Sequence, residues 1–296
     1  MFSRNSKEKG VESVLFFVST LTVLILFLIC IFLFRDSLLL FKETSLLDFL
    51  TGKFWYPTSV NKQFGLLPLL LGSLLVTAGA IIFSVPLGIA SAIYISELAH
   101  PKIADFLKPF IEILAGIPSV VFGFFGLVVL VPFMQKTLNL PTGQTALTGS
   151  IMLGIMALPT IITISEDAIS SVPSTLRQGS LALGATQWQT IYKVIIPASL
   201  SGISAAVMLG IGRAIGETMT LMMVTGNAAI IPSFPGGFFG PVRTMTATIA
   251  LEMGEVPQGS AHFHALFAVG SVLFIITFII NLIADSIKKK YRFKVG

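Results

Sequence analysis

The chain has 296 residues, 54% of them hydrophobic and only 11% charged, with a formal net charge of +5. Soluble domains carry about 25% charged residues, so this composition excludes an ordinary soluble enzyme, a disordered protein and a free DNA-binding domain, and leaves an all-α integral membrane protein. The positive charge is placed by the membrane and is no sign of a nucleic-acid partner, and the single Cys30 allows neither an intrachain disulfide nor a cysteine-based metal site.

A helix crossing the hydrocarbon core needs about 20 mostly apolar residues. Six stretches meet this in chain order: Val14 to Phe34, Gly65 to Ser96, Ile113 to Gln135, one within Thr137 to Ser165, one from about Ala198 to Gly226, and one within Val256 to Ala284. The first is too long for a signal peptide and runs into Arg35-Asp36 with no small-residue cleavage site, so it reads as a retained span. Pro68 and Pro86 are expected to bend the second span, and Pro118 to break or bend the third. Six spans put both termini on one side, with Arg4, Lys7, Lys9, Lys102, Lys108, Arg177, Lys193, Lys288, Lys289, Lys290, Arg292 and Lys294. The other side holds only Arg35, Lys42, Lys53, Lys62, Lys136 and Arg243. The positive-inside rule therefore places both termini in the cytoplasm of a multi-pass cell-membrane protein. The chain divides into a first span and external loop (1–63), a transmembrane domain (64–286) containing a cytoplasmic loop (166–197), and a basic tail (287–296). The external segment Asn227 to Glu255 holds Pro232, Pro235, Gly236, Gly237, Gly240 and Pro241 but is otherwise apolar, so it is expected to fold back against the bundle.

The cytoplasmic loop shows helical spacing of apolar residues from Thr175 to Leu183, with Ser174 as N-cap and Gly184 suited to the left-handed backbone of a helix C-terminus. A second short amphipathic helix starts near Thr186, and Pro197 marks the entry to the fifth span. This helix-turn-helix is either a structured linker or a docking element for a cytoplasmic partner, with Leu183, Trp188 and Tyr192 as anchors.

Arg213 lies about half-way along the fifth span, where a charge costs roughly 2.5–3.5 kcal/mol on insertion scales and must face protein or a water-filled cavity. Glu217, four residues on, is expected on the same helix face. Gly212 and Gly216 form a small-xxx-small pair that would admit another helix beside the charges. Two readings stay open: a mutual ion pair that pins the bundle, and a transient anion site in which the planar guanidinium matches phosphate oxygens. Ser119, Thr160, Thr163 and Thr218 are further candidates for a polar path, although such hydroxyls often bond to their own helix backbone. Glu252 and Glu255 fall at the outer end of the sixth span and are read as interface markers. His262 and His264 point to different faces, and without a third ligand no metal site is expected. With no G-x-x-x-x-G-K-[ST] loop the chain cannot supply an ATPase, and without H-E-x-x-H or G-x-S-x-G an enzyme reading is poor.

The cytoplasmic loop resembles the coupling loop of ATP-binding-cassette (ABC) importer permeases, E-A-A-x3-G-x9-I-x-L-P. Gly184 takes the glycine position, Gln178, Gly179 and Ser180 take E-A-A, and Val194-Ile195-Ile196-Pro197 takes I-x-L-P. The acidic residue is Gln178 here, and packing of the helix into an ATPase groove does not depend on it. Ser165-Glu166-Asp167-Ala168, Ala182-Leu183-Gly184-Ala185-Thr186, Gly210 to Met219, Ala115 to Gly126 and Ile249 to Glu255 resemble the C-type permease subunits of Pst phosphate importers. That resemblance implies a six-helix type I importer permease fold (MetI-like). It implies pairing with a homologous A-type permease, a dimer of cytoplasmic ATPases that bind ATP and Mg, and an external phosphate-binding protein. No cofactor is implied for this chain. Arg213 and Glu217 would then serve phosphate passage by alternating access. The A-type sister subunit, another oxyanion as cargo, and a phosphate-status sensor acting through a kinase partner are the alternatives; a secondary transporter working alone is disfavoured by the coupling loop.

Overall fold

The computed structural model describes residues 2–233 and 236–290, with side chains over residues 8–9, 11–233 and 236–287. Pro235, Arg292 and Lys294, and the side chains of Arg4, Lys7, Lys288, Lys289 and Lys290, lie outside the described residues, as does most of the basic tail. Among those described, six helical runs are long and apolar enough to cross a membrane: Val11–Leu40, Leu67–Leu98, Ser119–Thr137, Ala146–Ser170, Gln187–Gly216 and Ala261–Ile287.

Helix α1 (Phe2–Leu40) leads to α2 (Leu46–Thr51), which is capped by the Ser45 hydroxyl accepting from Leu47 N. A two-residue antiparallel pair follows, β1 (Trp55–Tyr56) against β2 (Gln63–Phe64), with Trp55 opposite Phe64. Helix α3 (Leu67–Ile93) ends in a π-helical turn, Tyr94–Leu98. Pro68 sits in the first turn of α3, where its missing N–H has no intrahelical partner to lose, so it does not bend the span; the helix continues through Pro86. Then come α4 (Pro101–Gly116), α5 (Ser119–Phe125), a π-helical turn Gly126–Leu130, and α6 (Val131–Thr137). Helix α7 (Ala146–Ser170) is capped by Thr145. The loop helices α8 (Ser174–Ala182) and α9 (Gln187–Thr190) follow, and a π-helical turn Ile191–Ile195 joins α9 to α10 (Ile196–Gly216). The chain closes with α11 (Met219–Val224), a 3-10 turn Gly236–Phe239, α12 (Met245–Glu252) and α13 (Ala261–Lys290).

Several boundaries differ from the sequence expectations. The fourth span runs on to Ser170, and the fifth already begins at Gln187, so the cytoplasmic loop expected over 166–197 is reduced to residues 171–186. The third span starts at Ser119, because α4 is a separate helix: Ile117 precedes a proline, which disfavours the α region, and it takes φ −67°, ψ 128°. The fifth span starts earlier and stops earlier than expected. It runs without interruption from Gln187 and ends at Gly216, and Pro197, in the first turn of α10, marks no break. Ser174 is the first helical residue of α8, and the cap position is Pro173 with no side-chain bond.

Helices α3 and α7 form the centre. Their close approach is possible because a Cβ on Gly79 would lie 2.4 Å from Ser150 Oγ and one on Gly88 would lie 2.6 Å from Ile161 Cγ2. Ser150 Oγ also donates to Val76 O at 3.1 Å across the pair. Small residues with an interhelical hydrogen bond are what holds helices together where lipid removes the hydrophobic drive. Helix α10 crosses α7 and α13. Helix α1 rests on α13 through edge-to-face pairs Phe32–Phe267 and Phe34–Phe274, each with centroids 5.9 Å apart. The segment after α11 does fold back: Val242 is buried, and its N–H donates to Thr225 O at 2.9 Å. Gly72 of α3 lies so close to this segment that a Cβ there would sit 2.4 Å from Arg243 O. That neighbour is backbone and cannot rotate away. Gly72→Ala is therefore expected to destabilise the protein by about 1–3 kcal/mol, read as a lower thermal unfolding midpoint in detergent; an unchanged midpoint would contradict this packing.

Candidate functional site

Two helix breaks, one just before the third span and one just after the fifth, meet at one level of the bundle. Helix α10 stops at Gly216, a poor helix former, and Glu217 takes φ −69°, ψ 132° before α11 begins at Met219. The other interruption is Ile117-Pro118 between α4 and α5. Thr220 Oγ1 donates to Ser119 O at 2.9 Å, which ties the start of α11 to the start of α5. Thr246 Oγ1 of α12 donates to Glu217 O at 2.8 Å. The carbonyl freed by the break after the fifth span is thereby satisfied, as a low-dielectric setting requires.

Arg213 lies in the last turn of α10, where a cation complements the helix dipole. Its Nη1 donates to Thr160 Oγ1 of α7 at 3.3 Å. Glu217 is not one helical turn beyond it, because the helix has ended. Its Oε1 accepts instead from Thr220 N at 3.3 Å, capping α11. The mutual Arg213–Glu217 ion pair is thus absent among the described residues. Thr218 turns its hydroxyl to Gly216 O at 3.3 Å. Arg213 is exposed on this chain, and a Cβ at Gly212 or Gly216 would meet nothing within 4 Å. The small-residue pair and the guanidinium therefore share an open face. Of the candidate path residues, Ser119, Thr160 and Thr218 gather here. Thr163 lies elsewhere, in a cavity of about 150 Å³ with Lys108, Glu112, Glu166 and Asp167. Thr220 and Thr246, which hold the junction, were not singled out by the sequence: Thr220 follows Glu217 and Thr218, and Thr246 is one of three alternating threonines, Thr244, Thr246 and Thr248, so residue type alone does not mark them.

At the end of the bundle that carries α8 and α9, the loop is built as a rigid projection. Gly184 has φ +83°, a backbone that favours glycine. Thr186 caps α9 in a capping box with Gln189. Leu183, Trp188 and Tyr192 are 91%, 66% and 73% exposed. Gln178 and Gly179 are exposed beside them, and Ser180 Oγ shares a hydrogen bond with Thr190 Oγ1 at 2.9 Å. Arg177 points the other way, onto Glu97 at 2.6 Å. The pairing of Lys108 with Glu166, at 3.2 Å, was likewise not foreseen.

At the opposite end, Glu252 is a hub and closes α12 rather than lying on the sixth span, which begins at Ala261. Its carboxylate accepts from Trp55 Nε1 at 3.1 Å, pairs with Arg243, and meets His262 Nε2 at 2.8 Å. These groups and Glu255 line a cavity of about 480 Å³. His264 faces away from it, 4.0 Å from Asp36 of α1. Among the described residues no three of His, Cys, Asp and Glu gather as a metal site.

Residues 84–293 match the family described as binding-protein-dependent transport system inner membrane component. The chain is 44% identical over 244 residues to "Probable ABC transporter permease protein YqgH" of Bacillus subtilis, covering 82% of this chain and 78% of the relative. It is 38% identical over 256 residues to "Phosphate transport system permease protein PstC" of Mesorhizobium japonicum, covering 80% of this chain and 76% of the relative. Among solved structures, a chain of a bacterial alginate ABC transporter superposes with TM-score 0.62 at 16% identity, over 95% of this chain and 96% of that one. A chain of the MetNI methionine ABC transporter in an inward-facing conformation superposes with TM-score 0.58 at 21% identity, over 76% and 96%. The fold is the one these permeases share.

The two charged centres are expected to respond differently to substitution. Glu252→Ala strands a partly buried arginine and an indole N–H and is expected to cost about 2–3 kcal/mol of stability. Arg213→Gln loses one long hydrogen bond on an open face and is expected to change stability by less than about 0.5 kcal/mol. Thermal unfolding of both variants in detergent checks the contrast, which fails if the two midpoints fall together.

Proposed function

The chain belongs to the family of binding-protein-dependent transport system inner membrane components, and from that membership we propose that it is the permease subunit of an ABC importer that moves inorganic phosphate. The observation that carries the cargo reading is Arg213: a guanidinium in the last turn of α10, on an open face, held by a hydroxyl instead of a carboxylate. A phosphate stripped of water needs donors of this kind, and the arginine fork offers two parallel N–H groups to its oxygens. A carboxylate already paired to Arg213 would have to be displaced by the anion, whereas the weaker Thr160 contact yields readily. Glu217 nearby keeps net positive charge low, so that the anion is held transiently and released.

The open face with Gly212 and Gly216 is where the second, homologous permease closes the path. The exposed Leu183, Trp188 and Tyr192 seat in a groove of the ATPase, and ATP binding and hydrolysis there drive alternating access. An external phosphate-binding protein delivers the cargo at the end bearing Trp55 and Glu252. The termini and α8–α9 lie in the cytoplasm, as the lysine and arginine distribution supports. ATP hydrolysis is the partner's work, and this chain contributes the path and the grip.

Two measurements test this reading. In cells lacking their own importer, Arg213→Gln in an assembled complex is expected to lower labelled-phosphate uptake at least about tenfold, the loss of roughly one charge-assisted bond. Equal uptake by wild type and variant would remove Arg213 from the path, and wild-type uptake of sulfate or molybdate in place of phosphate would change the cargo. Leu183→Ala together with Trp188→Ala is expected to weaken retention of the ATPase subunit in a pull-down by about thirtyfold or more, as loss of an interface hot spot does. Full retention would show that the loop docks elsewhere.

A further inference from the structure

The loop that projects Leu183 and Trp188 is covalently joined to the bundle at both ends, but unequally: α9 continues through the π-helical turn into α10 as unbroken helix, whereas α7 reaches α8 only across the non-helical residues Ser171, Val172 and Pro173. Side chains reinforce the weaker end. Helix α8 has no buried residue of its own, yet Arg177 reaches back from it and uses its whole guanidinium on two other elements. Nε and Nη2 donate to Glu97 Oε1 at 3.1 and 2.6 Å, Nη1 donates to Val172 O at 2.8 Å, and Nη2 donates to Ile169 O at 2.9 Å. Glu97 belongs to the π-helical turn at the end of α3, and its side chain is 9% exposed. Its own carbonyl accepts from Gln187 Nε2 of α9 at 3.1 Å. One ion pair therefore gathers the ends of α3 and α7 and both loop helices.

This arrangement bears on the path above it. Arg213 is carried by α10, whereas its partner Thr160 is carried by α7. A push on the loop transmitted only through the backbone would reach α10 along continuous helix but α7 only across the three non-helical residues 171–173, and so would displace α10 against α7 and part the two. We propose that Arg177 and Glu97 are a positioning pair. They make the packed pair α3–α7 follow the loop together with α10, so that motion delivered to Leu183 and Trp188 reaches both walls of the Arg213 site. A charge-assisted bond to a nearly buried carboxylate, backed by two backbone carbonyls, holds one geometry far better than an exposed pair. The inference rests on the reading of the loop as the ATPase contact, and it names the residue through which that contact acts on the path.

The test uses the complete importer reconstituted in vesicles. Three quantities are read: ATPase subunit retained on pull-down, ATP hydrolysed, and phosphate transported per ATP hydrolysed. Arg177→Gln and Glu97→Gln are expected to assemble and hydrolyse ATP, with phosphate per ATP lower by about fivefold or more, the size of a lost coupling between sites. The double variant Glu97→Arg with Arg177→Glu is expected to restore part of that ratio. A residue that only supports folding would reduce the amount of complex and leave the ratio unchanged, and that result overturns the proposal. If Arg177→Gln does not assemble, Arg177→Lys is read in its place, since it keeps the charge opposite Glu97 and loses the fork to the carbonyls; a wild-type ratio there, or failure of this variant to assemble as well, also overturns it. A wild-type complex that retains no ATPase subunit would instead refute the underlying reading of the loop, and the wild-type pull-down shows this before any variant is compared.

Discussion

A helix that ends inside a packed membrane bundle has little water to satisfy the backbone groups it frees, and much of this structure is an answer to that constraint. Two breaks lie at the Arg213 level, Ile117-Pro118 before the third span and Glu217-Thr218 after the fifth, and threonine hydroxyls from other segments bridge them: Thr220 onto Ser119 O at the start of α5 and Thr246 onto Glu217 O. The segment after α11 has to return into the bundle because Thr246 must reach the break. Gly72 has to lack a side chain because that returning segment runs against α3. The same breaks leave Arg213 at a helix end in place of a helix middle, with its charge set against the α10 dipole and its side chain free of its own helix backbone.

The two ends of the bundle solve a different problem, that of keeping long helices in fixed relation where lipid contributes little. At one end Glu252 collects Trp55, Arg243 and His262, so the β1–β2 pair, the returning segment and α13 are fixed to α12. At the other, Arg177 collects α3, α7 and the loop. Each is an ion pair with further hydrogen bonds to the same groups, the form in which partly buried charge is tolerated. Between them the α3–α7 contact is almost wholly apolar and depends on glycines. The arrangement is tied by ion pairs at both ends and closely packed through the centre.

The spans, the return of residues 227–255 and the loop architecture were all legible in the sequence, because each rests on local chemistry. Apolar length sets the spans, Gly184 sets the turn with φ +83°, and Thr186 with Gln189 sets the start of α9. Arg213 was legible for the same reason, as a charge where none is cheap. The relation of Arg213 to Glu217 was not. Helical periodicity holds only while the helix does, and the break at Gly216 depends on Thr220 and Thr246, which no spacing connects to it. The last turn of α4, residues 113–116, was merged into the third span because Ile113 to Gln135 is continuous in hydropathy; the break expected at Pro118 is there, and the extended backbone that it imposes on Ile117 separates the two helices. Glu252 and Arg177 were hidden for a third reason. Their partners lie far away in the chain, and a lone carboxylate or guanidinium at a loop does not announce which segment it will fasten.

The π-helical turn Ile191–Ile195 has a geometric consequence for the fifth span. A π turn takes up one residue more than an α turn does, and each residue of an α-helix advances about 100° around the axis. The angular setting of α10 relative to the loop is thus fixed by that single extra residue. Were the turn ordinary α-helix, every side chain above it would be rotated by about that angle, and the guanidinium of Arg213 would leave the face that Thr160 presents. The loop and the site form a phased pair, and the phase is stored in five residues at the foot of the helix.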